Sequence, residues 1–228
     1  MKIPKRLLKR FPLVRSLGSL ILAMAVLTIF SCSHSVIVTI PPAIELANYE
    51  VIGLIEFSSK EAGQLGAEAT REFIDNLHAA QPGVRILELG NQKDILEKLG
   101  YNQMDFQSIK AIGEHYRLAA VVSGNVELSD PKPDAKAATH LKILLAGIEA
   151  KVDGRMSAKL WEASSGVTIW SNSSWGTWTV GKVNLDSKGR ISAGYSYPIE
   201  KQREILTALV RALNGDFWPT YEKCKVEK

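Results

Sequence analysis

Cysteine and histidine are scarce in this chain, with two cysteines and four histidines among 228 residues. The cysteines, Cys32 and Cys224, are too few for a disulfide framework, and Cys224 lies in a charged tail where we expect a free thiol. An intermolecular bridge through Cys224 is the alternative. The histidines are His34, His78, His115 and His140. They form no H-E-x-x-H pair, and none lies at metal-ligand spacing from a cysteine. The sequence therefore predicts no metal site.

Catalytic motifs are missing as well. The chain contains no G-x-S-x-G nucleophile elbow, no phosphate-binding loop and no dinucleotide fingerprint. Glu56 is the one carboxylate inside a run typical of a buried strand. It is either a tuned acid or, as we expect, a solvated or paired group at the end of the strand. We therefore predict that the protein is not an enzyme and has no catalytic residue and no cofactor.

Acidic residues are absent from the first 31 residues, which hold six Lys or Arg. The apolar run LGSLILAMAVLTIF follows at 17–30, and then come Ser31 and Cys32. This order is typical of a secretory signal peptide, and a cysteine at the junction resembles the lipobox of bacterial lipoproteins. We predict a lipoprotein signal peptide over 1–31 and lipidation of Cys32, including palmitate. Cleavage nearby without lipid and an uncut anchor over 16–33 are the alternatives.

The remainder of the chain has a nearly balanced charge. Without residues 1–31 it holds 22 basic and 24 acidic residues, so the net charge changes from +4 to −2 and no nucleic-acid partner is expected. Its length suits one sizeable core. Residues 32–48 contain a strand-like VIVTI run and Pro41-Pro42, which predict a lipidated tether. A single α/β domain is predicted over 49–224.

Alternating strands and helices are predicted in the first half of this domain. Strands are predicted at 49–57, 84–89 and 118–126, of which the first and the last are typical of buried strands, and Gly124 predicts a bulge or bend in the last of them.

Helix starts are predicted from capping residues. Ser58 and Glu61 have the spacing of a capping box, which predicts a long helix in which Gly66 approaches the sheet closely. Asn91 and Asp105 are predicted to cap two further helices.

Antiparallel hairpins are predicted in the second half. The first joins a strand that ends at Trp161 to a strand over 167–170, and the second spans 175–197. Pro198 is predicted to open the last helix. The side chains expected to face the core from this helix and from the segment after it are Ile205, Leu206, Leu209, Val210, Leu213, Phe217, Trp218 and Tyr221.

Tryptophan is concentrated late in the chain, at Trp161, Trp170, Trp175, Trp178 and Trp218. Such a cluster can bind a ligand, line an interface or lie at a bilayer boundary. Packing in the core and across strands is the ordinary alternative.

Four segments in order resemble a known group of envelope proteins. VIGLIEF lies at 51–57, DILEKLG ends the segment 84–100, LAAVVSGNV lies at 118–126, and LWEASSGVTIW ends the segment 156–170. With the lipobox ahead of them, they are similar to the family of the curli-export channel protein CsgG, the penicillin-binding-protein activator LpoB and the amino-terminal domain of TolB. The resemblance implies a single α/β (α+β) domain with a mixed, twisted sheet, packed helices and, as an option, a protruding β-hairpin.

The same resemblance implies a periplasm-facing lipoprotein of the outer membrane that acts through protein contacts. We expect an accessory or scaffold protein in envelope assembly, secretion or peptidoglycan synthesis, bound to the membrane by its lipid and to envelope proteins. The alternative is a homo-oligomeric, CsgG-like secretion channel with a membrane-inserted hairpin, although Lys182 and Arg190 favour a hairpin outside the membrane. The predicted interaction or membrane-contact residues are Trp175, Trp178, Tyr195 and Tyr197.

Overall fold

A computed structural model describes residues 35–60, 64–133, 148–183 and 198–225. The chain divides into two compact units. The larger unit spans Pro41–Thr220 and is called the core unit below. The smaller unit combines Met1–Ile40 with Tyr221–Lys228. Its described part is a two-stranded ribbon of β1 (Ser35–Ile40) and β9 (Thr220–Lys225), of which only Thr220 is counted with the core unit. The predicted boundaries at 31, 48 and 224 stay predictions.

A mixed, twisted sheet organises the core unit and confirms the predicted α/β class. Its described strands are β2 (Ile52–Ile55), β3 (Ser58–Ser59), β4 (Ile86–Gly90), β5 (Ala120–Leu128), β6 (Lys132–Pro133), β7 (Ile148–Glu162) and β8 (Thr168–Val183). The order is β4-β2-β5-β7-β6, with β3 paired to β5 and β8 paired to β7. β2 is parallel to β4 and β5, whereas β7 is antiparallel to β5 and β8. The sheet therefore has a parallel half and an antiparallel half.

Four helices lie within the described residues: α1 (Leu65–Ala80), α2 (Gln92–Leu99), α3 (Phe106–Tyr116) and α4 (Ile199–Leu213). The predicted caps of α2 and α3 are confirmed. The Asn91 side chain accepts a hydrogen bond from the Lys93 N–H at 2.8 Å, and the Asp105 carboxylate accepts bonds from the N–H groups of Gln107 and Ser108. None of the described helices is both long and apolar enough to cross a membrane.

Helices pack on both faces of the sheet. Successive residues of β5 point to opposite faces, so Ala120 and Val122 join a large core with α1 and α4, whereas Val121 joins a smaller core with α2 and α3. The five residues predicted as the buried face of α4 are all buried. These are Ile205, Leu206, Leu209, Val210 and Leu213.

The predicted capping box at Ser58 is wrong. Ser58 and Ser59 form β3, because they pair with Asn125 and Val126 of β5, and α1 begins seven residues later at Leu65. Gln64 is its N-cap and makes no side-chain capping bond.

Gly124 forms no bulge, contrary to prediction. It pairs with Ala158 in an unbroken register, and a Cβ at this position would lie 2.3 Å from the Phe57 ring. The glycine is explained by this close approach of a buried phenyl ring and not by a bend of the strand.

The two predicted hairpins share one strand. β8 runs without interruption from Thr168 to Val183, because β7 is long enough to pair with it along its whole length. The segment 167–170 and the first arm of the suspected second hairpin are therefore one element. The rest of that hairpin, over 184–197, lies outside the described residues.

Only part of the C-terminal segment folds back onto the core. Phe217 is fully buried within a short 3-10 turn, Gly215–Phe217. Trp218 is 37% exposed, and Tyr221, at 67% exposed, belongs to the ribbon. The prediction is therefore confirmed for Phe217, whereas Tyr221 is an exposed residue of the smaller compact unit.

Candidate interaction surface on the long hairpin

Trp175 and Trp178 are the predicted contact residues that fall within the described part of the chain. Both lie on β8, with Arg155 opposite Trp175 and Val152 opposite Trp178 across β7. Cys32, Tyr195 and Tyr197 lie outside the described residues, so their predicted roles stay predictions. Because side chains alternate along a strand, two residues three positions apart point to opposite faces of the sheet.

Trp178 points toward the large core. It is half-buried and packs against the core cluster, beside Leu209 of α4 near Gly154. A Cβ at Gly154 or Gly176 would lie only 3.0 Å or 2.4 Å from the indole ring, so the two glycines leave the space that this ring occupies. The position of Trp178 is that of a packing residue.

Trp175 lies on the opposite face and is 78% exposed. We call this face the outer face and define it by ten alternating residues of β7 and β8. They are Lys151, Asp153, Arg155, Ser157, Lys159, Ser171, Ser173, Trp175, Thr177 and Thr179. Hydroxyl groups and charges dominate it, and Trp175 is its only large apolar side chain. An exposed indole in polar surroundings is typical of an anchor in a protein contact.

The face of β8 that lies opposite the outer face is bound to α4 by hydrogen bonds. The Ser174 hydroxyl donates to the Leu209 carbonyl oxygen at 2.8 Å, and the Asn172 amide donates to the Leu213 carbonyl oxygen at 2.9 Å. These bonds, together with buried Trp170 and Val180, fix which side of the strand faces outward. The outer face is therefore presented by a rigid element.

Basic residues follow β7 along the outer face. Lys151, Arg155 and Lys159 outnumber the single acid Asp153, which accepts a hydrogen bond from the Thr177 hydroxyl at 2.7 Å. On the neighbouring strand β5, the hydrogen bond and charge of Lys60, 2.8 Å away, lower the pKa of Glu127. Glu127 therefore stays ionised at neutral pH, and the face around Trp175 carries fixed charges of both signs.

A polar cleft of about 760 Å³ opens where β2 and β4 end. Its lining includes Glu56, Ser58, Asn91 and Lys93. Glu56 follows β2 and is half-buried, which places it at the end of the strand, as expected. Among the residues that the structure describes, no group of three or more His, Cys, Asp or Glu side chains is arranged to hold a metal ion.

No protein-family model matches the chain, and no curated protein matches it in sequence. Several solved structures resemble it. A PelC dodecamer from Paraburkholderia phytofirmans has 14% sequence identity and a TM-score of 0.43, over 81% of this chain and 97% of that chain. Lipoprotein GNA1162 from Neisseria meningitidis has 12% identity and a TM-score of 0.36, over 60% and 88%. The LpoB C-terminal domain from Escherichia coli has 13% identity and a TM-score of 0.33, over 56% and 83%.

The predicted family resemblance is confirmed in part, since LpoB and a protein named as a lipoprotein are among these structures. The resemblance to CsgG and TolB stays a prediction. All three TM-scores lie below 0.5, so none of these likenesses assigns a family or a function to this chain.

Sequence reasoning missed the different positions of Trp175 and Trp178. The signal was present in their spacing, because an odd separation within one strand places two side chains on opposite faces. The spacing does not tell which of the two faces is buried, because that depends on the packing of α4 against β8.

Proposed function

We propose that this chain is a periplasm-facing lipoprotein of the outer membrane and a non-catalytic scaffold in envelope assembly, secretion or peptidoglycan synthesis. The observation that carries the proposal is the junction at Cys32, where a basic start and an apolar run end in Ser31 and a cysteine. Acylation of that cysteine would hold the chain at a membrane surface, and more than one acyl chain makes such an anchor stable.

The outer face is the surface that we propose for the protein partner. Trp175 supplies a large, rigid apolar side chain, and the surrounding serine, threonine, lysine and arginine side chains supply polar contacts. Interfaces commonly have this composition, with an aromatic anchor inside a polar rim. The proposal needs no catalytic group.

Replacement of the predicted lipid acceptor tests the anchor. In cells fed a labelled fatty acid, we expect Cys32→Ala to lose the label, because alanine has no thiol that could carry an acyl chain. Cys224→Ala is the matched control and should keep the label, since Cys224 is an exposed free thiol. Unchanged labelling of Cys32→Ala would overturn the proposed anchor.

Site-specific photocrosslinking in intact envelopes tests the protein contact. A photoreactive residue at position 175 should crosslink to another envelope protein, and Trp175→Ser should weaken capture of the same protein by the otherwise unchanged chain. Thr207→Ser, on the opposite side of the sheet in α4, is the matched control. Equal crosslinking from positions 175 and 207 would contradict a contact centred on the outer face.

A channel subunit is the second candidate function, and the lengths of two strands favour it. β7 and β8 have 15 and 16 residues, more than the roughly 9–11 that a membrane-spanning strand needs. The charges of Lys151, Asp153, Arg155 and Lys159 oppose it, because such side chains are costly on a lipid-facing strand. Detergent-extracted rings and ion conductance in planar bilayers would favour the channel over the scaffold.

A further inference from the structure

The ribbon of β1 and β9 exposes apolar side chains. Val36 is 50% exposed, Ile37 61%, Val38 43% and Ile40 37% on β1, and Tyr221 is 67% exposed on β9. Alternation places Val36 and Val38 on one face and Ile37 on the other, so both faces of β1 carry exposed apolar groups. An isolated pair of strands is marginally stable in water. A surface that covers these side chains would therefore stabilise the ribbon.

The position of the ribbon in the chain indicates what that surface is. Ser33 and His34 are the only residues between Cys32 and the start of β1 at Ser35. An extended chain spans at most about 3.6 Å per residue, so Val36 lies within roughly 14 Å of Cys32. The headgroup layer on one side of a bilayer is about 5–8 Å thick. An acyl anchor at Cys32 would therefore hold β1 at or next to this layer.

The chemistry of β9 fits the same environment. Tyr221 and Lys223 are both exposed and, two positions apart, share one face of the strand. Tyrosine is enriched at the level of the headgroups, and lysine is attracted to anionic lipids while its apolar stem stays in the interface. The ribbon thus combines exposed aliphatic side chains, an interfacial aromatic ring and a cation.

We propose that the β1–β9 ribbon is a membrane-contact element immersed in the interface of a phospholipid bilayer, so that the exposed side chains of both faces, Val36, Ile37, Val38, Ile40 and Tyr221, lie at the boundary of headgroups and acyl chains. This inference rests on the proposed acylation of Cys32. It adds a second attachment, formed by the polypeptide itself, and draws the C-terminal strand to the surface together with the N-terminal one. Residues 32–40 are then part of the attachment and not a free tether.

Depth-dependent fluorescence tests this inference on the full acylated chain. The protein carries Ile37→Cys in a Cys224→Ser background, is labelled with an environment-sensitive dye and is reconstituted in vesicles of phosphatidylethanolamine and phosphatidylglycerol. We expect a blue-shifted emission and strong quenching by lipids that carry a quencher near the headgroup. The matched control is Ser171→Cys in the same background, an exposed position on β8, which should emit as it does in water.

The outcomes separate the two proposals. If Cys32 is not acylated, fatty-acid label is absent and a second thiol reacts with the dye, which is a failure of the anchor. If the acyl label is present but the dye at position 37 emits as in water, the membrane-contact inference is overturned. Shielding that depends on protein concentration and yields crosslinks between two copies at position 37 would also overturn it, since a second copy would then cover the ribbon.

A double substitution measures how much the contact contributes. Ile37→Ser with Val38→Ser removes apolar groups from both faces of β1, and we expect transfer of the acylated protein between vesicles to become about tenfold faster. Thermal unfolding of the core unit should not change, because the ribbon belongs to the other compact unit. Unchanged transfer with intact acylation would contradict the inference.

Discussion

Gly66 lies in the first turn of α1, where the helix passes very close to the chain after β2. A Cβ at this position would lie 2.1 Å from the Phe57 carbonyl oxygen, which is backbone and cannot rotate away. The hydroxyl of buried Thr70 bridges the same region, since it accepts a bond from the Phe57 N–H at 2.8 Å and donates to the Gly66 carbonyl oxygen at 2.7 Å. The helix is therefore held tightly against the end of the strand.

Gly66→Ala is expected to destabilise the core unit. Helix propensity alone would stabilise the variant by up to about 1 kcal/mol, but overpacking against fixed backbone costs about 1–3 kcal/mol and should prevail. Urea unfolding measures the difference. Gly215→Ala is the control, because a Cβ there meets no atom within 4 Å, and it should be neutral or slightly stabilising. Equal effects of the two substitutions would contradict the close approach.

Asp105 makes the N-cap of α3 sensitive to pH. The backbone N–H of Ser108 is the main cause that lowers the pKa of its carboxyl group, with a further contribution from the Gln103 side chain. A lowered pKa in the folded state stabilises the fold at pH values above the unfolded pKa, and this contribution is lost as the pH falls through the folded pKa.

Asp105→Asn tests this cap, because asparagine keeps the acceptor oxygen and does not titrate. We expect the melting temperature of the natural chain, relative to Asp105→Asn, to fall as the pH is lowered below about 4, the ordinary range of aspartate. Melting curves of both proteins between pH 7 and pH 2.5 provide the measurement. If the difference in melting temperature between the two proteins stayed constant over this pH range, a stabilising role of ionised Asp105 would be excluded.

At the scale of elements, Gln81 joins three segments of the core unit. Its side-chain oxygen accepts a hydrogen bond from the Leu46 N–H at 2.7 Å, and its amide nitrogen donates to the carbonyl oxygens of Ile44 and Phe217 at 2.7 and 3.0 Å. The end of α1 is thereby tied to the segment that enters the core unit and to the 3-10 turn after α4. Only a side chain with both a donor and an acceptor can make these bonds.

Comparing Gln81→Glu with Gln81→Met separates the destabilisation caused by a negative charge from that caused by the loss of hydrogen bonds alone. Gln81→Met should cost about 1–3 kcal/mol, because it leaves three partly buried backbone groups without these hydrogen bonds. Gln81→Glu should cost more at pH 7, since its carboxylate faces two carbonyl oxygens. This environment raises the pKa of the new carboxyl group, so the extra loss should disappear as the pH falls and the group becomes protonated. Urea unfolding at pH 7 and pH 4 measures the free energy of unfolding of both variants. If Gln81→Glu were destabilised equally at the two pH values, the proposed effect of its charge would be contradicted.

The two faces of the β7–β8 hairpin differ because α4 packs on only one of them. α4 covers the face with Trp170, Ser174 and Trp178, whereas the outer face holds Trp175 among polar groups. The Trp170 indole N–H donates to the Asp216 carboxylate at 2.9 Å and its ring lies 4.7 Å from that of Phe217. Trp170 thus attaches the hairpin to the 3-10 turn after α4, whereas the exposed Trp175 takes no part in this attachment.

For the whole molecule, the Gly215–Phe217 turn closes the large core. Chains that end after Pro219 or after Asn214 both lack β9, but only the second lacks Phe217 and Asp216. We expect the longer chain to unfold cooperatively in urea and the shorter one to lose at least about 3–5 kcal/mol, the usual cost of removing a buried phenyl ring. Equal stability of the two chains would show that the core does not depend on this turn.

The sequence by itself determined the existence of β2, β4 and β5 within or beside the predicted segments 49–57, 84–89 and 118–126, the caps at Asn91 and Asp105 and the buried stripe of α4. These features depend on local hydrogen bonds and on a periodic apolar pattern, both of which can be read from neighbouring residues. The lipidated junction at Cys32 is read from a linear segment in the same way and stays a prediction.

Only the tertiary structure decided the rest. Ser58 lies in a strand because it pairs with β5, and Gly124 is required by the close approach of the Phe57 ring. The long β7 pairs with all of β8, so the two strands predicted separately are one. The tertiary structure also decided that Trp175 faces outward and Trp178 inward. Each of these outcomes depends on groups far apart in the chain, and no local pattern of side chains specifies which distant neighbour a residue will meet.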